Sequence, residues 1–276
     1  MNSVKKHNQT AFVTFVYPNS EKYLADFINS INAQTALNFT LILFNDGILN
    51  LESKIKDLKV DFQIVNMEGT PQEIRFKALK KLSASSFDFI LFQDSDDLMR
   101  TNRYKTCYDS LLKYDIVVND LDIINENGKL IEYNYWQNRI DNNHVFTYKT
   151  IENYNFIGLG NTSIKKEVLK FLPQEPTQSL KAVDWFIFYS IMHKGNINAV
   201  FTSDTCTIYR QHQENTIGTQ TAQNNKSIFI QEVKESHYKA LYQSNSISEV
   251  EYIKLNNTKE VSKEIKKQNP FWWETN

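Results

Sequence analysis

Residues 87–97 read FDFILFQDSDD: a short apolar run that halts at Gln93 and turns at once into Asp94, Asp96 and Asp97. A run of that length and composition suits a buried strand. The acidic turn then lies where open α/β sheets bind their ligands, beyond the carboxyl end of a strand. Three carboxylates crowded into one turn repel one another unless a cation neutralises them, and oxygen-only ligands suit Mg2+ or Mn2+. Taken alone, the turn fits an acidic helix cap before Arg100 equally well, so its neighbours decide.

Upstream, the same alternation recurs. Residues 10–17 (TAFVTFVY), 39–44 (FTLILF) and 60–66 (VDFQIVN) read as strands. Between the first two, residues 21–34 place Tyr23, Leu24, Phe27, Ile28 and Ile31 at helical spacing. A helical piece at about 50–59 follows, and Pro71 suits the first turn of a helix running to about Leu82. Strand alternating with helix predicts a parallel sheet covered on both faces.

Downstream the pattern is more mixed. Residues 115–119 (DIVVN) read as a strand, and Asn127-Gly128 between LDIIN and KLIEY is a hairpin-turn signal. Residues 163–171 read as a helix stopped by Pro173. A helix over 183–194 is apolar on nearly every side, which marks it as buried, and Gly195 suits its end. Short strands are expected at 197–201 and 205–210. From about residue 219 the chain is polar and helical without glycine or proline until Pro270.

Composition narrows the function. Of 276 residues, 41% are hydrophobic and 23% charged, which excludes wholesale disorder. Thirty-one basic against 32 acidic residues leave no excess for binding nucleic acid by counterion release. Cys107 and Cys206 are too few for a disulfide framework. No apolar run approaches the roughly 18 residues of a membrane span, and no signal-peptide core opens the chain, so a cytoplasmic location is expected. Seven glycines form no Gly-rich phosphate loop.

Four ordered blocks, YPNSEKYLADFINSINAQT (17–35), FTLILFNDG (39–47), IRFKALKKL (74–82) and FDFILFQDSDD (87–97), resemble the family 2 glycosyltransferases of GT-A fold. GNTSIKKEVLKFL (160–172) and TIYRQHQENTIG (207–218) carry the resemblance to about residue 218. It implies an α/β fold with a mostly parallel central sheet flanked by helices. Residues 1–218 would be the catalytic domain, with a donor-nucleotide half at about 10–120 and an acceptor half at about 121–218. Residues 219–276 would form a helical C-terminal appendage.

The resemblance also assigns roles. Asp46 would bond the nucleotide base, since a carboxylate accepts the imide N–H of uracil; by itself Asp46 also suits the turn before Gly47. Arg75 would approach the nucleotide, or else lie on a solvated helix face. Tyr17 would stack on the base or pack in the core. Asp94 and Asp96 form the Asp-x-Asp pair, with Asp96 touching Mn2+ or Mg2+ and Asp94 or Asp97 helping through ribose or water. His212 is a further ligand or diphosphate donor, or a structural histidine, and Arg210 would bind the diphosphate. Asp184 would be the catalytic base of an inverting transfer, or simply cap its helix. Asn45, Phe76, Ala78 and Val183 depart from the family pattern.

The expected activity is transfer of a sugar from a nucleoside-diphosphate donor, a UDP-sugar foremost, to a hydroxyl of a glycan or lipid-linked acceptor in surface polysaccharide synthesis. Two alternatives stay open: a non-catalytic nucleotide-sugar-binding protein that retains the fold, and a sugar nucleotidyltransferase. The second normally needs a Gly-rich basic loop where this chain has Tyr17-Pro18-Asn19. In the tail, residues 254–270 hold five lysines against two glutamates before Phe271-Trp272-Trp273. That segment suits a peripheral contact with the inner membrane face, or packs back on the protein or into a homodimer.

Overall fold

The computed structural model describes residues 9–212 and 226–257. The end of the TIYRQHQENTIG block and the Phe271-Trp272-Trp273 segment lie outside the described residues. The first half runs β1 (Thr10–Val16), α1 (Leu24–Asn32), β2 (Thr40–Asn45), α2 (Leu51–Lys54), β3 (Phe62–Asn66), α3 (Pro71–Ser83), β4 (Phe89–Phe92), β5 (Leu98–Met99) and α4 (Arg103–Leu111). Then come β6 (Ile116–Asn125), β7 (Leu130–Glu132), β8 (Val145–Phe146), β9 (Thr162–Lys165), α5 (Val183–Gly195), β10 (Ala199–Gln211), α6 (Lys226–Gln243) and α7 (Glu249–Asn257).

These strands form one sheet in the order β3-β2-β1-β4-β9-β6-β10-β5, with β7 on β6 and β8 on β10. Pairing is parallel throughout β3-β2-β1-β4 and again between β6 and β10. The parallel sheet expected from the sequence is therefore present, but β9 joins its two parts by running antiparallel to both β4 and β6. Residues 163–171 were expected to be helical; instead β9 precedes a short 3-10 segment, Lys166–Phe171. Without β9, the facing edges of β4 and β6 would bury unpaired backbone groups, and that demand outweighs helical propensity. The two short strands expected at 197–210 are one strand, β10, with an irregularity between Thr202 and Cys206. The expected 50–59 helix is the single turn of α2.

Alternate residues of the central strands feed two cores, as a period of two requires. Phe12, Leu41, Leu91 and Val117 pack on one face with α1 and α4. Val13, Phe44, Phe92 and Val118 pack on the other with α3 and α5. Residues 183 and 185–192 of α5 are all buried, as its all-round apolarity predicts. The second wall of α5 is α6, whose His237 ring stacks on Trp185 with centroids 3.9 Å apart.

Candidate active site

The carboxyl ends of β1, β2 and β4, the N-terminus of α5 and the end of β10 open on one cavity of about 700 Å3. Tyr17, Asp46, Arg75, Asp184 and His212 line it, together with Asp94, Asp96 and Asp97. Of the residues to which the resemblance assigns a role, only Arg210 is not part of its lining.

The acidic turn is held from beneath. Ser95 Oγ donates to Phe15 O (2.7 Å) and the Arg210 amide donates to Asp97 Oδ1 (2.7 Å). Arg103, fully buried, spreads its guanidinium over Phe92 O, Gly160 O, Gln93 Oε1 and Asn119 Oδ1 at 2.7–3.2 Å. Gly160 faces Asp94 so closely that a Cβ there would come within 2.5 Å of Asp94 Oδ2. Neither Arg103 nor Gly160 was singled out in the sequence. The pair Gly158 and Gly160, in a chain with seven glycines, was the available signal.

Burial, then the charges of Asp96 and Asp184, push the Asp94 carboxyl up to about 7. Burial, then Asp96 and Asp94, push Asp97 well above the usual carboxylate range. Burial and the same aspartates also drive the Tyr17 phenol far upward. Asp97 Oδ2 is buried without a hydrogen-bond partner. Asp96 Oδ2 sits 2.8 Å from His212 Nε2 and accepts from Tyr17 Oη at 3.3 Å. Crowded carboxylates with an orphaned buried oxygen fit a divalent cation. Among the described residues no three His, Cys, Asp or Glu side chains already cage one.

The stability consequence has a definite sign. A carboxylate whose folded pKa is raised binds more protons folded than unfolded, so stability falls as pH rises from the unfolded value, near 4, through the folded one. The metal-free protein should therefore lose several degrees of Tm between pH 5 and pH 8, and millimolar Mn2+ should restore most of that loss at pH 8. Differential scanning calorimetry checks it; a Tm that is flat with pH and unmoved by Mn2+ contradicts the cluster's electrostatics.

Asp184 sits in the first turn of α5, where the helix dipole favours negative charge. Its Oδ2 accepts the Leu159 amide at 3.0 Å, while Oδ1, buried without a hydrogen bond, lies 3.6 Å from Arg75 Nε. Arg75, expected at the nucleotide, is thus paired with the base candidate across 109 positions of sequence. One oxygen of Asp184 is fixed and the other is held only by charge.

Arg210 differs most from its expected place. Its Nε donates to Asp96 O, Nη1 to Glu126 O and Nη2 to Asp26 Oδ2, each at 2.9 Å. Its guanidinium also lies 4.6 Å over the Tyr23 ring. With that fork engaged, Arg210 ties the aspartate turn to α1 and the β6–β7 hairpin and does not point into the cavity.

The departures from the family pattern have structural reasons. Asn45 donates through Nδ2 to Ile48 O and Asn66 Oδ1, and accepts the Ile48 amide; an aspartate cannot make the two donations. Phe76 and Ala78 are buried in the core, and Val183, also buried, lines the cavity.

A mixed central sheet flanked by helices, with its cavity at the carboxyl ends of the parallel strands, is the GT-A kind of α/β fold. Residues 13–217 match the model of glycosyl transferase family 2, and the chain belongs to that family. Over 157 residues, 52% of this chain, it is 27% identical to glycosyltransferase GlyA of Streptococcus pneumoniae serotype 4 and spans 23% of that protein's length. The fold is similar to residues 1–349 of S. aureus TarS, solved in complex with UDP-GlcNAc (TM-score 0.61, 19% identity, 90% of this chain and 70% of that one). It is also similar to GalNAc-T7, solved with UDP, GalNAc and Mn2+ (TM-score 0.58, 12% identity, 91% of this chain and 56% of that one). No described helix is long and apolar enough to cross a membrane.

Proposed function

We propose that the chain is a metal-dependent, inverting glycosyltransferase that moves a sugar from a UDP-sugar to a hydroxyl of a glycan or lipid-linked acceptor, in surface polysaccharide synthesis. The observation that carries this reading is a single cavity holding both the Asp94–Asp97 turn and Asp184, with one oxygen of Asp184 free of hydrogen bonds. The UDP complexes of TarS and GalNAc-T7 support the choice of donor.

In the transfer, the acceptor oxygen bonds to the anomeric carbon as the bond from that carbon to the diphosphate oxygen breaks. The bonding pair leaves with the nucleoside diphosphate, and the acceptor proton passes to Asp184. Arg75 keeps the carboxylate aimed along its unbonded oxygen. Asp96 and Asp94 would hold the cation, which when bound supplies positive charge to the departing diphosphate. Tyr17 and His212 fix the orientation of Asp96, and Asp46 faces the base.

Asp96→Ala tests the donor half. Calorimetry with UDP should show Mn2+-dependent affinity falling at least tenfold, while affinity without Mn2+ changes little. Unchanged Mn2+-dependent affinity removes Asp96 from the metal site.

A further inference from the structure

One buried titratable side chain takes no part in the transfer. His237 of α6 is 1% exposed, and its ring lies flat on Trp185 of α5, with centroids 3.9 Å apart and the planes 11° off parallel. Tyr189 meets it edge-on at 5.8 Å and Tyr238 at 5.5 Å, so three aromatic rings enclose it. Among the described residues neither ring nitrogen has a hydrogen-bond partner. A neutral imidazole carries one N–H donor and one acceptor, and a buried polar atom left unpaired weakens the packing around it.

The rest of the α6 contact is ordinary. Ile230, Val233, Ala240 and Leu241 are buried. Tyr238 Oη donates to Glu152 O (3.1 Å), Gln178 Nε2 donates to Ser236 O (2.9 Å), and Lys181 pairs with Glu232 at 3.4 Å on the exposed side. His193 of α5 pairs instead with Glu251 of α7 at 3.2 Å and stacks on Tyr189.

A proton on His237 is costly while the helix is docked. The phenols of Tyr189 on α5 and Tyr238 on α6 are pushed upward by burial, and the charges of Glu152 and Glu251 that add to this reach the phenols and not the imidazole. Burial likewise lowers the Lys234 ammonium on α6. Burial alone lowers the His237 pKa, to about 3. An indole face attracts an imidazolium, but both N–H groups of that cation would be buried without an acceptor, and desolvation outweighs the attraction.

Away from α5 the ring meets water and takes its proton near the ordinary value of about 6.5. A depressed folded pKa makes docking complete above that value and weakens it as pH falls toward the folded one. The open population should grow about tenfold per pH unit below about pH 6.5, or roughly 30-fold from pH 7.5 to pH 5.

We propose that α6 is an acid-released latch: a proton taken up by His237 drives the helix off α5 and uncovers Trp185, which lines the cavity one residue from Asp184. The latch goes beyond the transfer reaction and stands whether or not the chain moves a sugar.

Hydrogen exchange of the full chain, read by mass spectrometry between pH 5 and pH 7.5 and corrected for intrinsic amide rates, tests it. Peptides from α6 should open roughly 30-fold more at pH 5 than at pH 7.5, while those of β1 and β2 change by less than about threefold. In His237→Phe and His237→Leu, which cannot take up the proton, the rise in α6 should shrink below about threefold. A rise in α6 no larger than in β1 and β2 overturns the latch, because it reports opening of the whole chain. So does a flat α6 profile, or a rise that persists in whichever variant folds. Should neither variant fold, the comparison of α6 with β1 and β2 in the native chain still decides.

Discussion

Asp184→Asn should reduce kcat by about 10²- to 10⁴-fold, the usual worth of a positioned general base, while UDP affinity in Mn2+ stays within twofold. The substitution separates two roles that the geometry superimposes. Asparagine keeps an oxygen for the Leu159 amide, which Asp184 accepts at 3.0 Å, so the turn before β9 stays anchored. It removes only the negative charge opposite Arg75 and the ability to take up a proton. If the carboxylate served only to anchor that turn, the variant would turn over sugar at nearly the native rate. Retained turnover in a single-turnover assay would therefore send the search for the base elsewhere in the cavity.

Arg103→Met should cost about 3–5 kcal/mol of stability, a drop of roughly 10 °C or more in Tm for a chain of this size. The native guanidinium has no exposure and meets four oxygens. Methionine fills much of its volume but abandons all four acceptors, each of which then carries part of a desolvation penalty of about 1–3 kcal/mol. Asp94 and Asp97 would lose a nearby buried cation as well. Arg103→Lys should recover only a minor part, because one ammonium cannot span four divergent acceptors. Urea unfolding measures the loss; a decrease below about 1 kcal/mol would show that Arg103 is not the support of the acidic turn.

The first half of the fold was legible because its signals are local. Each buried strand there is a short apolar run ended by a polar turn, and TAFVTFVY, FTLILF and FDFILF lie within a residue or two of β1, β2 and β4. Pro71 opens α3, and Gly128, at φ +78°, turns the β6–β7 hairpin. The antiparallel β9 was not legible, since its strand identity comes from the gap between β4 and β6 and not from its own residues. The same division holds in the cavity. The aspartate turn stands out by composition, and Asp184 by the family resemblance that expects an acidic residue at the start of its helix. Arg75 meeting Asp184, Arg103 under the turn and Arg210 behind it depend on contacts between distant segments, for which an arginine in a helix or strand gives no sign. Asn45 reads in the sequence only as a departure from the family pattern, and its amide donates two bonds that hold the β2 turn.

The stack of His237 on Trp185 bears on how the chain tolerates shortening. His237 is 1% exposed, and burial lowers its pKa to about 3, so a neutral ring forms the outer flank of the tryptophan next to Asp184. A fragment stopped at residue 218 would leave that indole facing water one residue from Asp184. Residues 9–212 and 226–257 produced as two pieces should therefore stay associated under native conditions, and activity should disappear only when α6 is stripped away by denaturant.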